Sequence, residues 1–244
     1  MKHDITAVRS ELAPSGCLRV AINLGNPVLA QRDELTGHLE GVSVALAKRL
    51  AMALGVPCEL TAYDAAGKVF AALENGSWDL AFLAIDPLRA QKIAFSSPYV
   101  VIEGTYLVDR DSDYRCTADL DQPGVEIAVG QGAAYDLYLS RTLTEATLRR
   151  APTSAGAVEL FVDRQLDAAA GVRQPLERFA NENPHTRVLA DSFTEICQAM
   201  AVPGNRPLAA AYVQEFIKTQ IGNGYVALAL RNNGQVEARV AALE

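Results

Sequence analysis

Arg89 closes the run Asp86-Pro87-Leu88-Arg89. Pro87 suits the first turn of a helix, so Arg89 is placed near a helix start. A guanidinium there is able to hold a carboxylate through two parallel hydrogen bonds. Asp86 is the nearest anion, and an Asp86–Arg89 surface pair is the alternative reading. Gly130-Gln131-Gly132 is a second chemical signal. A dinucleotide-binding turn needs a further glycine at position 135, where this chain has Tyr135, so a tight strand-to-helix turn is the better account. The helix start that follows, Gly132 to Tyr135, offers backbone N–H groups and the positive end of a helix dipole to an anion.

The sequence assembles no catalytic set. It has no G-x-S-x-G elbow, H-E-x-x-H pair or phosphate-binding Walker loop. His3, His38 and His185 are scattered and make poor general bases. Asp86, Glu103, Asp136 and Glu195 are the carboxylates available for acid catalysis, with surface charge as the alternative for each. Cys17, Cys58, Cys116 and Cys197 form no C-x-x-C pair, so neither a zinc site nor a cofactor is expected. Cys17 and Cys58 each precede a strand. Unlinked thiols are favoured over a bridge, whose geometry is demanding.

Composition narrows the classes. The 244 residues carry 22 basic and 29 acidic side chains, a net charge of -7, and half are apolar. Such a chain buries a core, and its acidic balance argues against nucleic acid as a partner. No stretch reaches the roughly 20 apolar residues of a membrane helix. Residues 1–16 show no apolar signal core, so either the protein is cytoplasmic or an export signal has been removed.

Strands and helices alternate along the chain. Strands are expected at 18–23, 58–63 and 80–83, with helices at 43–54 and 64–75 between them. A second such series begins at 125–129. It continues with helices at 134–143, 154–164 and 174–181, strands at 148–150, 166–170 and 187–189, and C-terminal helices at 206–221 and 226–231. Two β-prone stretches, 100–110 and 197–202, join the units. The expected fold is α/β, with two Rossmann-like lobes, two hinge strands and a cleft. Ligands of such folds sit beyond the carboxyl ends of strands. That points to the loops 24–31, 84–89, 131–135 and 171–174.

The stretch 74–100, with Gly76, Asp79, Arg89 and Phe95-Ser96-Ser97-Pro98-Tyr99, resembles a block of the extracellular solute-binding proteins, family 3, which serve amino-acid ABC transporters. Residues 18–26 and 41–56 match two further blocks, and the likeness runs from about 18 to 232. It implies a type II periplasmic-binding fold with a first lobe at 1–105, a second at 106–198 and C-terminal helices at 199–244 returning to the first. It also implies a periplasmic monomer that closes over a small carboxylate solute and delivers it to a membrane permease. A dehydratase on the same scaffold and a ligand-sensing module are the alternatives.

The resemblance places Arg89 on the ligand carboxylate. Hydroxyl residues usual just before it are replaced by Ala84 and Phe82, a Gly-Thr-Thr by Gly132-Ala133-Ala134, and the ammonium-binding aspartate by Val172, followed by Arg173. The usual aromatic of the first loop gives way to Val28 and Leu29. Asn23, Asn26 and Tyr135 are further polar contacts, and Phe82, Leu83 and Tyr106 apolar walls. Enclosing an ammonium without an anion costs several kcal/mol, of the roughly 8 kcal/mol available to a micromolar binder. The expected solute is therefore a carboxylate without an α-ammonium, or one engaging both Arg89 and Arg173. Asp86 is the residue able to supply the missing anion.

Overall fold

The computed structural model describes residues 4–243; His3 lies outside them. In chain order the elements are α1 (Ile5–Leu12), β1 (Leu18–Asn23), β2 (Gln31–Arg32), β3 (Leu39–Glu40), α2 (Val42–Leu54), β4 (Cys58–Tyr63), α3 (Ala66–Ala71), β5 (Leu80–Ala84) and β6 (Ile93–Asp109). There follow β7 (Glu126–Gly130), α4 (Ala134–Thr142), β8 (Thr147–Ala151), α5 (Ser154–Arg164), β9 (Ala168–Val172), α6 (Arg173–Glu182), β10 (Thr186–Val188), β11 (Thr194–Pro203), α7 (Pro207–Gly222), α8 (Tyr225–Asn232) and β12 (Arg239–Val240). The chain divides into two compact units. The first takes the described residues up to Asp64, Lys68–Val101 and those from Cys197 onward; the second takes Ala65–Gly67 and Ile102–Ile196. Two of the divisions fall inside the long strands β6 and β11, and the other two bracket Ala65–Gly67 at the start of α3.

In the first unit β1 pairs in parallel with β4 and β5, and β11 pairs antiparallel with β5. β5 is buried along its whole length, as expected of a strand covered on both faces. α2 ends at Gly55, whose φ of 64° is open to glycine at little cost. Asp79, entirely buried just before β5, is held by Arg19 at 2.8 and 2.9 Å and by Arg206 at 2.7 Å. This ion cluster ties β1 to the segment that opens α7.

In the second unit β7 pairs in parallel with β8 and β9, and β9 runs antiparallel to β6. Leu107, Ala128, Ala157, Phe161, Ala169 and Leu176 fill its core. Thr153 caps α5 by accepting from the Gly156 N–H at 3.0 Å. All four cysteines are free thiols. Among the described residues no helix is long and apolar enough to cross a membrane.

Candidate functional site

The loop after β5 carries Asp86 and Arg89. Asp86 Oδ1 accepts from the Leu88 N–H at 2.8 Å and the Arg89 N–H at 3.4 Å, while its carbonyl accepts from the Ala90 N–H at 2.9 Å. An aspartate at this point of a tight turn does the work of a helix cap. The turn swings the Arg89 side chain back to the end of β5, where Nη1 donates to the Ala84 carbonyl at 3.0 Å. The Arg89 side chain is 1% exposed. Burial pulls its pKa down to about 10, and the nearby Asp86 charge opposes that fall. Ile85 and Leu88, 42% and 49% exposed, form an apolar rim on the same loop.

A buried guanidinium with an anion beside it at a strand's carboxyl end is a place where a second anion can be received, because Arg offers five donors in a fixed fork. The local negative charge needed to stabilise it is already supplied by Asp86. A solute carboxylate would therefore share or take over that role. Asp86 thus holds its own turn and lies beside Arg89.

The other expected contacts in this unit are spent more locally. Asn23 Oδ1 accepts from the Gly25 N–H at 2.9 Å, and Asn26 Oδ1 from the Val28 N–H at 3.2 Å, so both carboxamides shape the loop after β1. Phe82 and Leu83 are buried in β5, with Phe82 edge-on to Tyr99 at 5.9 Å. Ala84 contributes its carbonyl, not its side chain.

In the second unit the turn at Gly132 has φ 69°, a conformation that favours glycine. Its N–H donates to Asp136 Oδ2 at 2.8 Å, and the Ala133 N–H donates to the Gly130 carbonyl at 3.0 Å. Two of the backbone donors expected for a solute anion are therefore used inside the unit. Ala134 opens α4. Asp136 is buried and also accepts from Arg150 Nε at 3.0 Å. Tyr135 is buried and donates to Ser154 Oγ at 2.9 Å, joining two helix starts. Burial of its ring raises the phenol pKa. Tyr106 is 1% exposed and packs on Phe193 with ring centroids 4.7 Å apart. Both tyrosines are buried and packed within the unit.

Arg173 departs furthest from expectation. Its Nε donates to Glu103 Oε2 at 2.5 Å, and its other nitrogens donate to the carbonyls of Leu189, Ala190 and Asp191 at 2.9 to 3.1 Å. The guanidinium binds the 189–191 segment to the start of α6. Val172 is the residue before α6 and closes the β9 ladder opposite Gly104. Among the described residues no three His, Cys, Asp or Glu side chains are grouped to hold a metal ion.

The sequence pattern of the bacterial extracellular solute-binding proteins, family 3, matches residues 18–231. The solute receptor for L-cysteine of Neisseria gonorrhoeae is 21% identical and covers 94% of this chain and 92% of its own, with a TM-score of 0.80. An amino acid ABC transporter substrate-binding protein from Streptococcus pneumoniae, solved bound to L-arginine, is 21% identical over 92% of this chain and 97% of that one, with a TM-score of 0.79. The ancestral amino acid-binding protein AncCDT-1, a precursor of cyclohexadienyl dehydratase, is 25% identical over 91% and 97%, with a TM-score of 0.76. These likenesses establish a common fold; what each of those proteins binds belongs to it alone.

Proposed function

The chain belongs to the bacterial extracellular solute-binding proteins, family 3, and from that premise we propose that it captures a small carboxylate-bearing solute through the Arg89 guanidinium and delivers it to an ABC permease. The observation that carries this reading is the buried Arg89 at the carboxyl end of β5, with Asp86 as its resident counter-charge. A cation enclosed at the mouth of a loop, flanked by the apolar rim of Ile85 and Leu88, suits an acid with a modest apolar body. The absence of an aspartate at Val172 and the commitment of Arg173 elsewhere both favour an acid without a free α-ammonium. An exported, periplasmic location goes with the family's extracellular character.

Binding rather than catalysis is supported by the state of the carboxylates. Asp86 caps its turn, Glu103 holds Arg173, and Asp136 holds Arg150 and Gly132. None of the three is placed as an acid awaiting a substrate. A thermal-shift screen of small carboxylates and their neutral carboxamides tests the proposal, since a solute that binds only the folded state raises its melting temperature. Carboxylates are expected to raise it and their amides to leave it unchanged. A rise with amides or with carboxyl-free amines alone contradicts the reading.

A further inference from the structure

Among the described residues β4 is an edge strand of the first unit, paired on one side only, with β1. Two cysteines stand at the amino ends of these strands. Leu18 opens β1 and is in register with Cys58, which opens β4, so Cys17 sits one residue out on the diagonal. Parallel spacing puts the Cα atoms of such a diagonal pair about 6 Å apart, inside the range of roughly 4.4 to 6.8 Å that a disulfide accepts.

The Cys17 side chain turns toward the junction of the two strands. Its thiol donates to the Pro57 carbonyl at 3.4 Å, the same oxygen that accepts the Leu18 N–H at 2.9 Å. A carbonyl oxygen lies roughly 3 Å from the next Cα, so the Cys17 sulfur is within about 6 Å of the Cys58 Cα. Both residues are partly buried. Burial pushes the Cys58 thiol up to about 11; the Cys17 charge adds to that rise and Lys48 opposes it, so the two thiols are within electrostatic reach of each other. The remaining cysteines are placed elsewhere. The Cys197 carbonyl accepts from the Ile85 N–H at 2.8 Å, past the carboxyl end of β5 and so at the opposite end of the sheet, and Cys116 belongs to the second unit.

We propose that Cys17 and Cys58 are a disulfide-forming pair that clasps the edge strand β4 to β1. The inference is independent of Arg89, which stands at the other end of these strands. The oxidant is a small disulfide such as oxidised glutathione. The Cys17 thiolate attacks one of its sulfurs, forming a mixed disulfide and releasing one thiolate, which takes up a proton. Cys58 then yields its proton to solvent, and its sulfur displaces the second small thiol from Cys17 Sγ. Two protein thiols are oxidised to one disulfide, and one small disulfide is reduced to two thiols. The surroundings of an exported protein are oxidising, and a bridge of this kind persists there.

The test incubates the reduced whole chain with oxidised glutathione, removes the reagent and maps the unreduced tryptic peptides by mass spectrometry. Peptides 10–19 and 50–68, which hold Cys17 and Cys58, are expected joined and lighter by two hydrogens than the separate pair. Titratable thiols should fall from four to two. The bridge closes a loop of roughly 40 residues and should raise the melting temperature by about 4 to 8 °C, a rise that dithiothreitol reverses. Cys17→Ser and Cys58→Ser should each abolish the rise, and Cys116→Ser should keep it. Glutathione left on Cys17, a bridge to Cys116 or Cys197, a dimer linked between chains, or an unchanged peptide map overturns the inference. So does a Cys17–Cys58 bridge that leaves the melting temperature unchanged or lowers it. None of these results bears on the Arg89 reading.

Discussion

Arg89→Lys keeps a positive charge at the end of β5 but exchanges a planar fork for a compact ammonium. The guanidinium is buried, and burial brings its pKa from 12.5 to about 10. The same burial acting on a lysine, ordinarily near 10.4, brings it to about 8. Burial disfavours the cation, so the folded-state pKa lies below the unfolded one. Between about pH 8 and 10.4 the unfolded variant holds more protons than the folded one, and stability therefore rises with pH across that window. The gain reaches about 3 kcal/mol, or about 6 °C in a chain of this length. Melting curves of wild type and variant, taken side by side from pH 7 to 10.5, isolate this contribution because all other titrating groups are shared. The variant's deficit should shrink as pH passes 8. Its affinity for a carboxylate should fall about tenfold per pH unit above that point, while wild-type binding stays level to about pH 9.5. A deficit and an affinity that are both flat with pH refute the reasoning, since residue 89 would then be neither desolvated nor the partner of an anion.

Asp79→Asn leaves Arg19 and Arg206 without their shared buried carboxylate, and should cost about 3 to 5 kcal/mol, lowering the melting temperature by roughly 6 to 10 °C. The Asp79 pKa is lowered in the folded state because hydrogen bonds from Arg19 and Arg206 outweigh its burial. Its stabilisation is therefore complete above the ordinary carboxylate range and lost as pH falls below it, so the gap between wild type and variant should narrow in acid. A calorimetric scan at pH 7 and pH 3 checks both. Arg173→Met should destabilise the protein by about 2 kcal/mol in urea unfolding and leave solute affinity unchanged; weakened binding in a protein of intact stability would return Arg173 to the solute.

Much of the fold was legible because apolar periodicity and punctuation agree. Leu18–Asn23 and Cys58–Tyr63 are strands at the expected residues, and α5 covers the expected 154–164 with Thr153 as its cap. The short hairpin of β2 and β3, the helix α1 and the edge strand β12 went unread: two-residue strands have no periodicity to show, and α1 is a short helix whose buried face is two residues, Val8 and Leu12. The site was legible only as a set of loops. Strand ends point to the loop of Arg89, but residue type alone does not reveal where a polar group's bonds go. Arg173, expected to engage a solute together with Arg89, donates to three carbonyls brought near it by the fold. Tyr135 looked like a contact and is a brace between helix starts. Asp79 read as a strand-opening acid and is the anchor of two arginines far apart in sequence, a long-range pairing that no local pattern announces.

Titration calorimetry of a small carboxylate into wild type and Arg89→Ala, with melting curves confirming that the variant is folded, tests the central claim most directly. A buried charge pair with the solute predicts a loss of roughly 2 to 5 kcal/mol, about thirtyfold or more in the dissociation constant. An unchanged dissociation constant in a folded variant would mean that Arg89 does not hold the solute.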